Sequence, residues 1–134
     1  MAIKVGINGF GRIGRVALRV MIGPDKILGI SAGTVEEARA AQAAGADYIG
    51  VGAVFQTSTK KNARSLSLEK LREISGSVRI PVVAIGGISA ANLMELSGSG
   101  VDGVAVVSAI FAAEDPGAAT AALARLSRKM VAHE

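Results

Sequence analysis

The sequence predicts an α/β domain of five βα units built on a parallel sheet, and three observations lead there. Five short apolar runs rich in Val, Ile and Gly recur at residues 3–7, 27–30, 48–54, 82–85 and 104–110. None alternates cleanly between apolar and polar, which is the pattern of strands buried on both faces. Helical patterns separate the runs, and strict strand–helix alternation implies parallel pairing through right-handed crossovers. The third observation is an internal echo: A-G-A-D-Y-I-G-V at 44–51 and S-G-V-D-G-V-A-V at 99–106. Each reads as a helix stop, an aspartate and an apolar strand, so the repeating unit is one βα module.

The helix ends are marked in chain order. The first helix runs over 12–22 and is broken by Gly23-Pro24. Thr34 and Glu37 form a capping box ahead of 35–44, and Gly45 stops that helix. Ser67 caps 68–75, and Ser89 caps 90–97 before Gly98. Asp115-Pro116 opens the last helix, 117–131. Two sheets can be built from these units. The preferred one is a three-layer, doubly wound sheet of Rossmann or flavodoxin type, strand order 2-1-3-4-5, because the first strand is apolar enough to be central. The other is a half-barrel, order 1-2-3-4-5, whose open face is covered by dimerisation.

With 134 residues the chain fits a single domain, 1–134. Tyr48, Phe10, Phe55 and Phe111 are its only aromatic residues, so Val, Ile and Ala must fill the core. The absence of cysteine excludes disulfides and thiolate chemistry, and the lone His133 reads as a solvated tail residue. No apolar run approaches the roughly 18 residues of a membrane span, and no signal peptide is evident, so a soluble, cytoplasmic protein is expected. The formal charge of +4 favours small anions as partners. Nucleic acid is not expected, because no aromatic residues interleave with the basic ones to stack bases.

In parallel α/β folds ligands sit beyond the carboxyl ends of the strands. The residues there are N8-G-F-G, S31-A-G-T, Q56-T-S-T-K-K, G86-G87 and S108, a set of amides, hydroxyls and lysine that suits phosphate. Asp25, Asp47 and Asp102 precede their strands and fall on the opposite face. Glu36, Glu37, Glu114 and Asp115 sit where they would cap helices. No carboxylate pair is placed for acid–base work or for a metal. The run G9-x-G11-x-x-G14 follows a strand and opens a helix, the setting of a dinucleotide fingerprint that would use Gly9, Gly11, Arg12, Ile13 and Gly14 for NAD. The strand that follows ends in I30-S31-A32, without the acid that holds the ribose. The segment up to Ser65 reads as a flap carrying Lys60, and Gly86, Gly87 and Ser108 at neighbouring strand ends read as phosphate contacts.

Two families are resembled. The run M-A-I-K-V-G-I-N-G-F-G-R-I-G-R-V-A-L-R-V at 1–20 resembles the first βα unit of glyceraldehyde-3-phosphate dehydrogenase, a likeness that covers residues 1–22. From Gly23 onward, G-A-D-Y-I-G-V-G, T-S-T-K-K, P-V-V-A-I-G-G-I and V-D-G-V-A-V-V-S-A-I-F resemble the C-terminal half of thiamine-phosphate synthase, a TIM barrel. That family joins a pyrimidine diphosphate to a thiazole phosphate with magnesium. The resemblance implies that Ser31, Thr57, Thr59 and Lys60 contact the pyrophosphate, and that Gly86, Gly87, Val107 and Ser108 cradle the thiazole phosphate. It also implies that the magnesium aspartates and the pyrimidine-holding groups come from the other barrel half. Two families meeting near Ile22–Gly23 read as an engineered chimera. The expectation is a protein without catalytic activity and with no required cofactor, retaining a phosphate or sulfate site. The alternatives are a weak NAD-binding module and residual thiamine-phosphate synthesis.

Overall fold

The structure is a computed structural model and describes residues 27–55 and 65–132. Strands β1 (Gly29–Ser31), β2 (Tyr48–Val51), β3 (Val82–Ile85) and β4 (Gly103–Ala105) form one parallel sheet in the sequential order β1-β2-β3-β4. Helix α1 (Val35–Ala43) joins β1 to β2, and α2 (Leu68–Gly76) lies between β2 and β3. A 3-10 helix (Leu93–Leu96) joins β3 to β4, which is followed by α3 (Ser108–Phe111) and α4 (Pro116–Ala132).

The doubly wound order 2-1-3-4-5 is corrected by the register. Gly29, Ile30 and Ser31 pair directly with Tyr48, Ile49 and Gly50, so no strand lies between them. The first predicted strand and helix, 3–7 and 12–22, lie outside the described residues. Burial gives the same answer. Ile30, Ile49, Val51, Val82 and Ala84 are buried and share one core with Ala38 and Ala41 of α1, Leu71 and Ile74 of α2, Leu93, Leu96, Leu123 and Met130. On the other face Tyr48 and Ile85 remain 37% and 42% exposed. A doubly wound sheet buries both faces; among the described residues the helices bury a single face of this one.

Three predicted elements also change shape. The run 104–110 is not one strand: β4 ends at Ala105, and Ser108 already begins α3. The run 48–54 leaves regular geometry at Gly52, where an added Cβ would collide with the Ile85 carbonyl. The helix expected over 90–97 is reduced to the 3-10 helix, held by short bonds from Glu95 N–H to Asn92 O (3.0 Å) and Ser97 N–H to Met94 O (3.2 Å). Periodicity locates apolar residues but does not tell a tight turn of helix from a long one.

The caps at Thr34, Ser67 and Asp115 follow the reading, whereas Ser89 caps no helix: the 3-10 helix begins after Asn92, with no side-chain cap bond. Thr34 Oγ1 accepts from Glu37 N–H (3.1 Å), and Glu37 Oε2 accepts from Gly33 N–H (2.6 Å). Ser67 Oγ accepts from Lys70 N–H (3.1 Å), and Asp115 Oδ1 from Ala118 N–H (3.1 Å). Gly45 at φ 92° lets the chain leave α1, a conformation that L side chains rarely adopt.

The echoed aspartates perform one task twice. Asp47 donates its N–H to Leu28 O (2.8 Å) and accepts from Leu28 N–H on Oδ2 (2.6 Å). Asp102 does the same with Val82, at 2.8 Å in each direction. Each aspartate thus clamps the entry of its own strand to the entry of the preceding one. Asp102→Ala would leave the part-buried Val82 N–H without its acceptor and is expected to lower stability by about 1–3 kcal/mol, read as a shift in urea midpoint. Among the described residues no helix is long and apolar enough to cross a membrane.

Candidate functional site

The carboxyl ends of the four strands bring part of the predicted set together. Ser31 closes β1 and is exposed; Gly86 and Gly87 follow β3; exposed Val107 and Ser108 follow β4. Because Ile85 pairs with Ala105, the last two groups stand on adjacent strands within three residues of a paired position. Thr57, Thr59 and Lys60 lie outside the described residues, as do Gly9, Gly11, Arg12, Ile13 and Gly14. Phe55 donates its N–H to Gly86 O (3.1 Å), and Leu66 donates to Ala53 O (3.0 Å). Phe55 and Leu66 therefore both meet the chain beside the glycine turn.

The turn itself is built from two consecutive left-handed residues, Gly86 at φ 106° and Gly87 at φ 64°. A Cβ on Gly86 would stand 2.7 Å from Ala53 Cα, so the backbone of the β2 extension fills the space a side chain needs. This packing fixes a direction. The Gly86 carbonyl points at Phe55, and in a planar trans peptide the N–H of the next residue points the opposite way. The Gly87 N–H is thus turned away from the β2 extension.

At the β1 end the chemistry differs. Glu37 sits on the Gly33 N–H, so the start of α1 already holds its own carboxylate. Among the described residues no group of three His, Cys, Asp or Glu could hold a metal ion. The sequence reading missed Asn92, whose Nδ2 donates to Gly87 O (2.8 Å) and whose Oδ1 accepts from Ser89 N–H (2.8 Å). The spacing S89-x-x-N92 after a glycine pair is a local turn signal that could have found it.

A sequentially ordered parallel sheet, covered by helices on one face and gathering glycine turns and hydroxyls at its carboxyl ends, is a βα domain of the barrel class. The chain belongs to the thiamine monophosphate synthase family, whose model matches residues 11–110. A thiamine-phosphate synthase of Clostridium tetani is 54% identical over 98 residues, 73% of this chain and 47% of that protein. The corresponding protein of Ruminiclostridium cellulolyticum is 51% identical over 120 residues, 86% of this chain and 57% of that one. Among solved structures, a thiamine phosphate pyrophosphorylase from Pyrococcus furiosus superposes with a TM-score of 0.75 at 43% identity, over 90% of this chain and 55% of that one. The chain spans about half the length of the curated relatives it matches.

These findings correct the reading of an engineered chimera without catalytic activity. At about 50% identity the chain is related to natural enzymes that carry the synthase name. The family match starts at residue 11, inside the segment compared with the dehydrogenase, so neither an NAD-binding function nor a junction at Ile22–Gly23 is supported. The resemblance of the remainder to thiamine-phosphate synthase holds.

Proposed function

We propose that this chain acts as a thiamine-phosphate synthase, a transferase that joins a pyrimidine diphosphate to a thiazole phosphate. The observation that carries the reading is its identity of about 50% to synthases, together with a family match that includes every strand-end residue from Ser31 to Ser108. The reaction sets two anion tasks, holding a monophosphate and stabilising the charge on a departing diphosphate. The Gly87 amide and the Ser108 hydroxyl, on adjacent strand ends, suit the first, with Gly86 and Val107 shaping the backbone around them. Ser31, Thr57, Thr59 and Lys60 suit the second, the lysine supplying a mobile positive charge. The family works with magnesium, but the described carboxylates do not fit that ion, since they gather no metal-holding group and Glu37 is bound to Gly33. The work assigned to this chain is therefore binding and orienting the two anions.

A second copy is the proposed complement. The sequential order leaves β1 and β4 as edges among the described strands, and a second copy offers strands that would continue the sheet toward a closed barrel. Tyr48 and Ile85 supply apolar surface on the open face. A sedimentation mass of two chains is expected, falling to one chain in Ile85→Asp; a monomeric parent protein overturns this arrangement.

The activity is tested with both substrates and magnesium, following thiamine phosphate and released pyrophosphate. Turnover is expected, reduced by about 100- to 1,000-fold in Lys60→Ala, the range spanned by losing one charge-stabilising contact. Absence of turnover in the parent protein would overturn the assignment.

A further inference from the structure

We infer that Asn92 is the positioning residue of the glycine turn, acting on the bound phosphate through the backbone of Gly87; the inference rests on the phosphate-binding reading of that turn. Two carbonyls belong to the turn, and each has one donor. Gly86 O accepts from Phe55 N–H at 3.1 Å, and Gly87 O accepts from Asn92 Nδ2 at 2.8 Å. With both carbonyls tied, both peptide planes are set, and with them the directions of the Gly87 and Ile88 N–H groups, which point away from Phe55 and Asn92 respectively. Those are the donors that an anion at the turn can use.

The amide of Asn92 fits this task in one orientation only. Its Oδ1 must face the Ser89 N–H (2.8 Å) and its Nδ2 the Gly87 carbonyl, because an exchange of the two would set donor against donor and acceptor against acceptor. The residue is itself held firmly. Its backbone N–H donates to Ser89 O (3.2 Å), and the next residue, Leu93, is fully buried in the core. Ile88, which follows the turn directly, is 5% exposed. The turn is thus anchored by the core residue next to it, and Asn92, itself anchored by Leu93, ties back to it through Gly87 O. Glycines at 86 and 87 make the conformation possible, yet their flexibility leaves it undetermined without such a tie.

The test compares inorganic phosphate binding by calorimetry in the full chain, in Asn92→Ala and in Asn92→Asp, together with steady-state kinetics for the thiazole phosphate. Asn92→Asp keeps the acceptor for Ser89 N–H, so it retains that local contact if Asn92→Ala proves poorly folded. The loss of one hydrogen bond that orders the site is expected to weaken phosphate binding and raise the KM for the thiazole phosphate by about tenfold in either variant. The kcat should stay within about twofold, since uniform binding alone is removed. Proton and nitrogen resonances of the Gly87 amide should move in both variants. If the parent protein binds phosphate and both variants bind it equally well, the inference is overturned while the site stands. If the parent protein binds no phosphate, the phosphate reading of the turn falls, and this inference with it.

Discussion

Gly86→Ala is expected to destabilise the protein by about 2–6 kcal/mol and to abolish the phosphate binding proposed for the turn. Two costs combine. A non-glycine residue at φ 106° carries backbone strain of about 1–3 kcal/mol. The new methyl group would stand 2.7 Å from Ala53 Cα and 2.8 Å from Ala53 Cβ, and forced overpacking of this kind costs a further ~1–3 kcal/mol. Relief requires the β2 extension to move, which breaks the bonds from Val54 N–H to Ile85 O (3.0 Å) and from Phe55 N–H to Gly86 O. Chemical denaturation measures the first effect and calorimetry the second. Gly103→Ala is the control, because nothing lies within 4 Å of its added Cβ and its φ is not positive. Its stability should stay level or rise by up to ~1 kcal/mol as the unfolded chain loses freedom.

Ile49→Ala is expected to lower stability by about 2–5 kcal/mol through loss of buried area and the cavity left behind. Ile49 is fully buried at the centre of the sheet, paired with Ile30 on one side and Val82 on the other. Collapse around the vacancy is limited because both flanking side chains are held in the parallel ladder. Of a total stability of about 5–15 kcal/mol for an ordinary domain, a loss of that size removes a large part. A thermal scan with the parent protein as reference should show a clear fall in Tm, with unchanged far-ultraviolet signal at low temperature.

Local chemistry was legible in the sequence, and topology was not. Thr34, Ser67 and Asp115 cap helices where their spacing placed them, because an N-cap needs only a few consecutive residues. Asp47 and Asp102 fall on the strand-entry face, as their position ahead of each strand required. Strand order depends on contacts between distant segments, and an apolar strand at 3–7 says nothing about which neighbour it takes. The preference for a central first strand therefore failed at the direct pairing of Gly29 with Tyr48. Of the candidate site, G86-G87 and S108 were recognisable as small residues ending strands, whereas Asn92, whose proposed effect passes through a carbonyl, leaves only a short turn signature. Function was misjudged for a different reason. A familiar glycine loop at 9–14 and the lack of top-face carboxylates were given more weight than the motifs spread across residues 45–111, which run through most of the family match.

The two aspartate clamps also tell one alignment of the sheet from its neighbours. In a parallel ladder a strand displaced by one residue would turn Ile49 and Val51, or Val104, to the wrong face. Each clamp requires one residue to meet both the N–H and the carbonyl of a single partner, so a shifted strand satisfies neither contact. Registration is thus specified at the point where each strand enters, in addition to the apolar pattern that assigns its residues to a face. The device recurs once per pair of strands, for β1 with β2 and for β3 with β4.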